Sequence, residues 1–430
     1  MTGNSKVLSA GAVLVRRFLD DLSGATADLP GVTRAAFGAG EQIAHDFARR
    51  EGLAMEAEAR TDAAGNLYLT RRGSDPALPA LVMGSHLDSV AHGGNFDGAA
   101  GVAAGLGVMA ELAAGRIVLP RDLTILVTRA EEAAWFPLSY PGALAALGRL
   151  PAAALGARRA DTHRTLADHM AAAGFDPEAV RREAATLTPA NCAGFIEVHI
   201  EQGPRLVRLD RPIALVSAIN GGFRYVDARC LGTYAHSGAE PRFSRQDSVL
   251  GFCDLVAGLE ILWDALEAAG TEVTITIGRL QSDPTQHGGS RVLGEVGFTL
   301  DIRAADVDTL DGIRSQIGRL CRAISTRRGV TFDLGSPMTW APARMDGGLI
   351  VGLERSGDFL GLDLPLMNSG AGHDAAAFAE AGVPTAMIFV RNHNGSHNPD
   401  EAMDCTDLDE ALRLLLYFVI HFDDPKRGGT

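Results

Sequence analysis

A short stretch of the 430-residue chain, 84–102, combines two histidines with two aspartates. It reads GSHLDSVAHGGNFDGAAGV and places His86, Asp88 and Asp97 after an apolar run at 80–83. An unpaired charge at the end of a buried strand costs several kcal/mol. These side chains therefore need partners, and metal cations are partners that imidazole and carboxylate groups can hold.

Three further segments place acids or histidines after apolar, strand-like runs. Glu131 and Glu132 follow the run 123–128, His199 lies in GFIEVHI, and His397 lies beyond the last apolar run. Because ligands of an open α/β sheet gather at the carboxyl ends of the strands, we expect these side chains to meet. Such ligands suit two zinc or manganese ions that lie roughly 3.5–4 Å apart and hold a hydrolytic water.

Two more residues have a place in a two-metal interpretation. Asp88 can bind the second ring nitrogen of His86 and so fix the tautomer of that ring. Glu131, next to a metal-binding Glu132, is then free to take a proton from the water. Taken alone, a histidine at a strand end is more often structural, and a Glu-Glu pair usually lies in a solvated loop. Only the joint pattern favours a metallohydrolase.

The apolar pattern predicts the elements that must position these residues. The first part of the chain alternates strand-like runs with helix-period segments, which predicts an open, mostly parallel α/β sheet flanked by helices. From about residue 219, apolar and polar residues alternate as in antiparallel strands with one solvated face. The α/β pattern returns after about residue 335. We therefore expect one catalytic domain, 1–218 and 336–430, interrupted by an α+β insert, 219–335.

Individual elements follow from the same periodicities. Helices are predicted at 10–22, 41–51, 99–114, 144–150, 248–268, 307–327, 348–357, 374–380 and 407–420. Strands are predicted at 54–60, 66–72, 78–85, 123–128, 194–200, 222–233, 272–280, 294–304 and 384–390.

Composition excludes several classes of partner. The net charge is −14 without a Lys/Arg cluster, which argues against nucleic acid and against an anionic membrane surface. Five widely spaced cysteines without a CxxC pair indicate reduced thiols. The sequence shows neither a signal-peptide pattern nor a run of 18 apolar residues. We therefore expect a cytoplasmic protein that acts on small molecules.

An ordered set of segments resembles the M20 metallopeptidase family. The resemblance is strongest to its amidohydrolase branch of N-carbamoyl-L-amino-acid hydrolases, β-ureidopropionases and allantoate amidohydrolases. The segments are GSHLDSV…GGNFDGAAGV, the EE pair, EVHIEQGP, HSG, FTLDIR, SGAGHDA and GSHNPDE. They cover most of the chain in order, and such a set is more specific than a lone motif. The resemblance implies a zinc-exopeptidase-like catalytic domain with an inserted domain that dimerises and acts as a lid.

The resemblance also implies which residues would bind metal. His86 and His199 would hold one ion together with a bridging Asp97. Glu132 and His397 would complete the site of the second ion. His199 occupies a position filled by a carboxylate in the peptidase branch, which points to the amidohydrolase branch. The cofactors would be two divalent ions per subunit, Zn²⁺ or Mn²⁺, with Co²⁺ or Ni²⁺ as alternatives.

Further roles follow from the same resemblance. Glu131 would be the general base, with Asp88 supporting the site behind His86. His236 of YAHSG would reach the active site of the partner subunit in a homodimer and donate a hydrogen bond to the developing oxyanion. Substrate contacts would come from Gln202 and His373 at the amide end, from Gly372, and from Arg303, which would clamp the substrate carboxylate.

Two positions depart from the usual pattern of the branch. Ser290 stands 13 residues before Arg303, where the branch usually has an asparagine that supports the same carboxylate. Trp135 follows the Glu pair where the branch usually has an arginine, so an apolar wall replaces a cation. We expect both residues at the substrate site, and they leave the identity of the substrate open.

The sequence thus predicts metal-assisted hydrolysis of the C–N bond of an N-carbamoyl amino acid or a related small, carboxylate-bearing amide. One alternative is a hydrolase of N-acyl amino acids, dipeptides or aromatic amides, which Trp135 could favour. A catalytically inactive binding protein is a second, although the retained metal ligands argue against it. A serine hydrolase is disfavoured because neither Ser237 nor Ser396 lies in a GxSxG elbow. The segment GAGEQIA lacks the strand and the third glycine of a nucleotide-binding loop.

Overall fold

The computed structural model describes residues 9–182 and 185–423. The chain divides into two compact units, of which unit 1 consists of Met1–Ser217 and Arg344–Thr430, and unit 2 of Ala218–Ala343. The predicted insert, 219–335, lies inside the range of unit 2.

The first segment of unit 1 alternates helices with strands. Its elements are α1 Ala10–Ala25, α2 Ala39–Ala54, β1 Glu58–Thr61, β2 Leu67–Arg71, β3 Ala80–His86, α3 Ala99–Ala114, β4 Leu123–Thr128, α4 Pro141–Ala146, α5 Leu166–Ala172, α6 Pro177–Arg182, β5 Cys192–Ile200, α7 Arg205–Leu209 and β6 Ile213–Ile219.

Unit 2 consists of antiparallel strands and two long helices. Its elements are β7 Gly221–Leu231, β8 Ala235–His236, α8 Ser248–Ala268, β9 Val273–Thr276, β10 Leu280–Gln281, β11 Arg291–Val292, β12 Glu295–Ala304, α9 Val307–Arg328, β13 Thr331–Asp333 and β14 Met338–Trp340. The sheet order is β10-β12-β7-β13, with β14 on β7 and β9 on β12. Alternate residues such as Phe223 and Ile302 are buried in one core with residues of α8 and α9, so this sheet has one apolar face, as its alternating sequence predicts.

The last segment returns to unit 1. Its elements are β15 Ala343–Arg344, α10 Gly347–Leu360, β16 Leu366–Ser369, α11 Asp374–Glu380, β17 Thr385–Val390 and α12 Cys405–His421.

The sheet of unit 1 has a parallel centre and antiparallel flanks. Its order is β1-β2-β4-β3-β5-β17-β6-β15, with β16 on β6. The central strands β4, β3, β5 and β17 are parallel, whereas β1 pairs antiparallel with β2, β2 with β4, and β6 with β17. The carboxyl ends of the four central strands therefore meet at one edge. The predicted mixed α/β fold with a mostly parallel sheet is confirmed.

Burial explains why the central helices and strands could be predicted from the sequence. Every residue of β4 is buried, and α3 is almost completely buried because its Ala/Gly-rich surface packs against α1, β3 and β5. Such all-round burial matches a continuous apolar run rather than an amphipathic pattern. Among the residues that the structure describes, no helix combines the length and apolar character needed to cross a membrane.

Several predicted boundaries were wrong, and two of them have clear local reasons. The strand predicted to begin at Ala54 begins at Glu58, because α2 continues through Ala54 and the chain reverses at Glu56, which has a φ of 60°. The helix predicted at 144–150 spans Pro141–Ala146. Proline is favoured in the first turn of a helix, and Gly148, with a φ of 62°, lies where the chain turns away.

Candidate metal centre

The four central strands of unit 1 bring the predicted ligands together. His86 is the last residue of β3, and His199 lies near the end of β5. Glu131 and Glu132 follow β4, and His397 follows β17. The side chains from different strands meet because the parallel strands end at one edge of the sheet.

The ligand atoms form two groups that share Asp97. One group contains His86, Asp97 and His199, and the other contains Asp97, Glu132 and His397. Oδ1 of Asp97 lies 3.4 Å from Nε2 of His86 and 3.1 Å from Nε2 of His199. Its Oδ2 lies 3.3 Å from Nε2 of His397, which is 3.3 Å from Oε1 of Glu132. Asp97 thus offers one oxygen to each group, as a bridging carboxylate does.

The spacing of these atoms fits a small divalent cation. Ligand atoms at the corners of a tetrahedron, 2.0–2.1 Å from a zinc ion, lie about 3.3 Å apart. The measured separations between the histidine nitrogens and the carboxylate oxygens are 3.1–3.4 Å. Buried Oε1 of Glu132 accepts no hydrogen bond from the described residues. A cation between the donors would give this oxygen a partner.

Both buried histidines are oriented with Nε2 towards the cluster. Nδ1 of His86 lies 3.2 Å from the backbone oxygen of Asp88, and Nδ1 of His199 lies 2.9 Å from that of Ile200. A proton on Nδ1 donates to these oxygens and leaves a lone pair on Nε2. The two Nε2 atoms are 3.4 Å apart. Two lone pairs and an Asp97 oxygen therefore converge, which requires a cation or a proton among them.

The electrostatics of the histidines reflect this excess of negative charge. Burial lowers the pKa of His86, but the carboxylates of Glu131, Asp88 and Asp97 outweigh burial and raise the pKa well above its usual value. The adjacent carboxylates of Asp97 and Glu132 raise the pKa of His397 to about 10. A bound cation would replace the protons that these raised pKa values favour.

Burial acts on the pKa values of the two consecutive glutamates in the opposite direction, because their charged form is the deprotonated one. Burial raises the pKa of Glu131 well above its usual range; the imidazole of His86 lowers it, whereas the nearby charges of Glu132 and Asp374 add to the rise. Burial also raises the pKa of Glu132. Oε2 of Glu131 lies 3.9 Å from Nε2 of His86. Glu131 is thus beside the cluster without belonging to either ligand group.

Asp88 ties the glutamates to the first histidine. Its Oδ1 accepts a hydrogen bond from the backbone N–H of Glu131 at 3.0 Å, and its Oδ2 accepts one from that of Glu132 at 3.1 Å. Oδ1 is also 3.3 Å from Nδ1 of His86. One buried carboxylate therefore fixes both the loop after β4 and the ring at the end of β3.

We expect Asp88→Asn to reduce activity and metal affinity by roughly 10- to 100-fold, the usual cost of changing a group that orients metal ligands. The amide keeps one oxygen but turns an N–H₂ group towards a backbone N–H. The checks are kcat and bound metal per chain. Asp20→Asn, an exposed position in α1, is the matched control. Unchanged activity and metal content in Asp88→Asn would contradict this role.

A buried ion pair holds the beginning of the same loop after β4. Glu41 accepts a hydrogen bond from Arg129 Nη1 at 2.7 Å and another from the backbone N–H of Ala130 at 3.0 Å. Ala130 has a φ of 57°, a conformation that side chains other than glycine rarely adopt. The ion pair therefore holds the strained residue that precedes Glu131.

Arg129→Met should lower the free energy of unfolding by about 3–5 kcal/mol, because it leaves the Glu41 carboxylate buried without its cation. Chemical denaturation measures the change. Arg158→Met, at an exposed arginine, should alter stability little. A stability loss below about 1 kcal/mol in Arg129→Met would show that the ion pair does not hold the loop.

Sequence analysis gave no role in the metal centre to two residues that support Asp97 and to one that supports the loop after β3. Glu401 accepts hydrogen bonds from the backbone N–H groups of Phe96 and Asp97, at 2.9 and 3.2 Å, and a third from Ser396. Ser396 also lies 2.7 Å from Oδ2 of Asp97. Buried Arg34 binds the backbone oxygen of Leu87 in the loop after β3. Glu401 and Ser396 lie in the quoted segment GSHNPDE, whereas no motif marked Arg34.

The glycine after Asp97 is required by the first histidine. Gly98 has a φ of 65°, and a Cβ at this position would lie 2.5 Å from Cε1 of His86. Only glycine combines the left-handed backbone with such close approach. The chain can therefore turn into α3 directly beside the ring.

The predicted substrate residues of unit 1 lie around this centre. Nε2 of Gln202 donates to Oδ2 of Asp97 at 2.7 Å. The buried ring of His373 lies 4.4 Å, centroid to centroid, from that of His199. Burial, followed by the charge of His199, lowers the pKa of His373 well below its usual value. Gly372 contacts the Tyr140 hydroxyl so closely that a Cβ would not fit.

Trp135 has a cation against its ring. Its indole N–H donates to the backbone oxygen of Ser89 at 2.7 Å, and the guanidinium carbon of Arg159 lies 4.6 Å from the ring centroid. The expected apolar wall is thus partly covered by an arginine from a distant segment. Sequence spacing could not indicate this pairing.

The remaining predicted residues belong to unit 2. His236 is the exposed last residue of β8 and pairs in register with Arg291 of β11. The backbone oxygen of Ser290 accepts a hydrogen bond from the N–H of Ser237 at 2.8 Å. Nε of Arg303 donates to Oδ1 of Asp301 at 2.9 Å. The catalytic and binding roles of these residues stay predictions.

Comparisons with known proteins agree with the sequence motifs. The sequence model described as peptidase family M20/M25/M40 matches residues 82–421. An N-carbamoyl-L-amino-acid amidohydrolase of Pseudomonas sp. (strain NS671) is 30% identical over 382 residues, covering 88% of this chain and 89% of the relative. Allantoate amidohydrolase of Escherichia coli (strain K12) is 32% identical over 364 residues, covering 83% and 85%. A hydantoinase/carbamoylase family amidase from Burkholderia ambifaria has a crystal structure with a TM-score of 0.85 and 27% identity, covering 95% of each chain.

Proposed function

The chain belongs to peptidase family M20/M25/M40 and is an amidohydrolase of the carbamoylase and allantoate type, and we propose that it hydrolyses the C–N bond of an N-carbamoyl amino acid or a related small, carboxylate-bearing amide with two metal ions. The observation that carries the proposal is the position of Asp97 between two ligand groups, with the unbound acid Glu131 beside them. His199 in the first group supports the amidohydrolase branch over the peptidase branch.

The donor set fits two divalent cations such as Zn²⁺ or Mn²⁺. His86, His199 and Asp97 would hold one ion, and Asp97, Glu132 and His397 the other. Bound cations supply a water of near-neutral pKa and polarise the amide carbonyl. Asp88 keeps Nε2 of His86 available, and Gln202 holds Oδ2 of Asp97 by a hydrogen bond.

Glu131 acts as the proton carrier in this proposal. One carboxylate oxygen takes the proton of the attacking water and later delivers it to the leaving nitrogen. With an N-carbamoyl substrate, the products are an amino acid, CO₂ and ammonia.

The segments 1–218 and 336–430 form the catalytic domain of the proposed enzyme, and 219–335 forms its dimerisation and lid domain. In the homodimer, His236 of one subunit stabilises the oxyanion in the site of the other. Gln202 and His373 contact the amide end of the substrate, and Gly372 and Trp135 also line the substrate site. Arg303 and Ser290 bind its carboxylate end.

A substrate panel tests the proposed reaction. The panel contains N-carbamoyl-L-amino acids, N-carbamoyl-β-alanine, allantoate, N-acetyl-L-amino acids and dipeptides, each with Mn²⁺ present. We expect ammonia release from a ureido compound. Release of a carboxylic acid from N-acetyl compounds alone would support the N-acyl-amino-acid hydrolase instead, and bound metal without any turnover would support an inactive binding protein.

A further inference from the structure

Two arginines and a tryptophan share one face of the sheet in unit 2. Register places Asp301 of β12 opposite Arg224 of β7, and Arg303 opposite Gly222. Trp340 of β14 is also opposite Gly222, from the other side of β7. Neighbouring residues of β7 and β12, such as Phe223 and Ile302, point to the opposite, buried face. The two guanidinium groups therefore lie on the face away from the core of α8 and α9.

A single carboxylate and a single ring fix both cations. Oδ2 of Asp301 accepts a hydrogen bond from Nε of Arg224 at 2.6 Å, and its Oδ1 accepts one from Nε of Arg303 at 2.9 Å. The guanidinium carbons of both arginines lie 5.7 Å from the centroid of the Trp340 ring. That distance is within the range of cation–π attraction. Asp301 and Trp340 thus arrange two arginines around one point of the sheet.

Gly222 makes room for the ring between the arginines. A Cβ at this position would lie 2.5 Å from Cζ2 of Trp340. Any other residue would displace the indole from its place over β7. The close approach of ring and strand therefore depends on glycine at 222.

Both guanidinium groups of the cluster are partly exposed. The side chain of Asp301 is only 11% exposed, whereas those of Arg224 and Arg303 are 40% and 30% exposed. Neighbouring guanidinium groups bind carboxylates through directed, charge-assisted hydrogen bonds.

We propose that Arg224 is a second carboxylate-binding residue, which acts with Arg303 and selects substrates that carry a free carboxylate. This inference rests on the proposed function, in which Arg303 binds the carboxylate end of the substrate. Asp301 and Trp340 hold the guanidinium of Arg224 beside that of Arg303, so a carboxylate bound by Arg303 has a second donor within reach. The substrate class is therefore a small ureido or amide compound with a free carboxylate.

Paired substrates separate this role from a structural one. Each N-carbamoyl-L-amino acid of the panel is compared with its primary carboxamide, which keeps the ureido group but lacks the charge. The enzymes are wild type, Arg224→Gln, Arg224→Lys and Arg229→Gln, all loaded with Mn²⁺. Arg229 is the control because it is an exposed arginine of the same strand whose partners are Glu295 and Asp333. Metal content and melting temperature are measured for each variant.

We expect Arg224→Gln to raise KM for the carboxylate roughly 10- to 100-fold, the effect of losing one charge-assisted hydrogen bond, with kcat and carboxamide kinetics little changed. Arg224→Lys should recover part of the loss, and Arg229→Gln should behave as wild type. An unchanged KM in Arg224→Gln, or an equal loss for both compounds, would overturn the inference and leave the proposed function intact. If metal-loaded wild type hydrolyses neither compound of any pair, the proposed function falls and the inference falls with it.

Discussion

Glu131→Gln is expected to lower kcat on the order of 10³-fold, because the amide cannot take a proton from water. Bound metal should stay at the wild-type level, since Glu131 is not a member of either ligand group. Its Oε2 lies 3.9 Å from Nε2 of His86, close enough to reach a water held at the cluster. Folding should also be retained, because glutamine has the same shape as the buried acid and carries no charge that needs a partner.

The measurement combines steady-state kinetics on the best ureido substrate with metal analysis of the same sample. Glu354→Gln, at an exposed position in α10, is the matched control and should behave as wild type. A Glu131→Gln protein that keeps most of its activity would assign the base to another residue. Loss of metal together with activity would show that Glu131 is a ligand rather than a base.

Asp97→Asn is expected to have the second large effect, a loss of both metal ions and a fall of activity to the background rate. The two oxygens of Asp97 face different groups, so one substitution weakens both sites. An amide supplies one neutral oxygen and turns an N–H₂ group towards the other group of ligands. Direct ligands should matter more than the groups that orient them, whose loss costs 10- to 100-fold in affinity.

Metal per chain after dialysis against a weak chelator measures this effect. Asp358→Asn, at an exposed position in α10, controls for the change of one charge. Two tightly held ions in Asp97→Asn would rule out the bridging role. Loss of a single ion would limit Asp97 to one of the two groups.

The sequence predicted the elements that are buried on all sides. The helix at 99–114 and the strand at 123–128 have the predicted bounds, because a continuous apolar run between turn residues leaves little freedom for their ends. The boundary of α2 was not predictable in the same way. Helix and strand preferences compete near Ala54, and the reversal at Glu56 decides between them.

Part of the candidate site could likewise be predicted from motifs, whereas the rest depends on packing between distant segments. His86, Asp97 and Glu132 were named from their motifs, and the parallel strands bring them together. The pair of Glu41 with Arg129 could not be predicted, because its partners are far apart in sequence and belong to no recognised segment.

The contact between the two arginines of unit 2 could not be predicted either, because it depends on strand register. Arg224 and Arg303 meet through Asp301 only because β7 and β12 pair with one irregularity between Phe298 and Leu300. A shift of one residue would send these side chains to opposite faces. Sequence spacing alone therefore gives no signal for their contact.

Titration of the metal-free protein with Mn²⁺ tests the central claim most directly. The sample is freed of metal by a chelator, its metal content is verified, and ammonia release from the best ureido substrate is followed as Mn²⁺ is added. The two groups of ligands predict almost no activity without metal and a maximum at two ions per chain. Full activity in the verified metal-free protein would contradict the account.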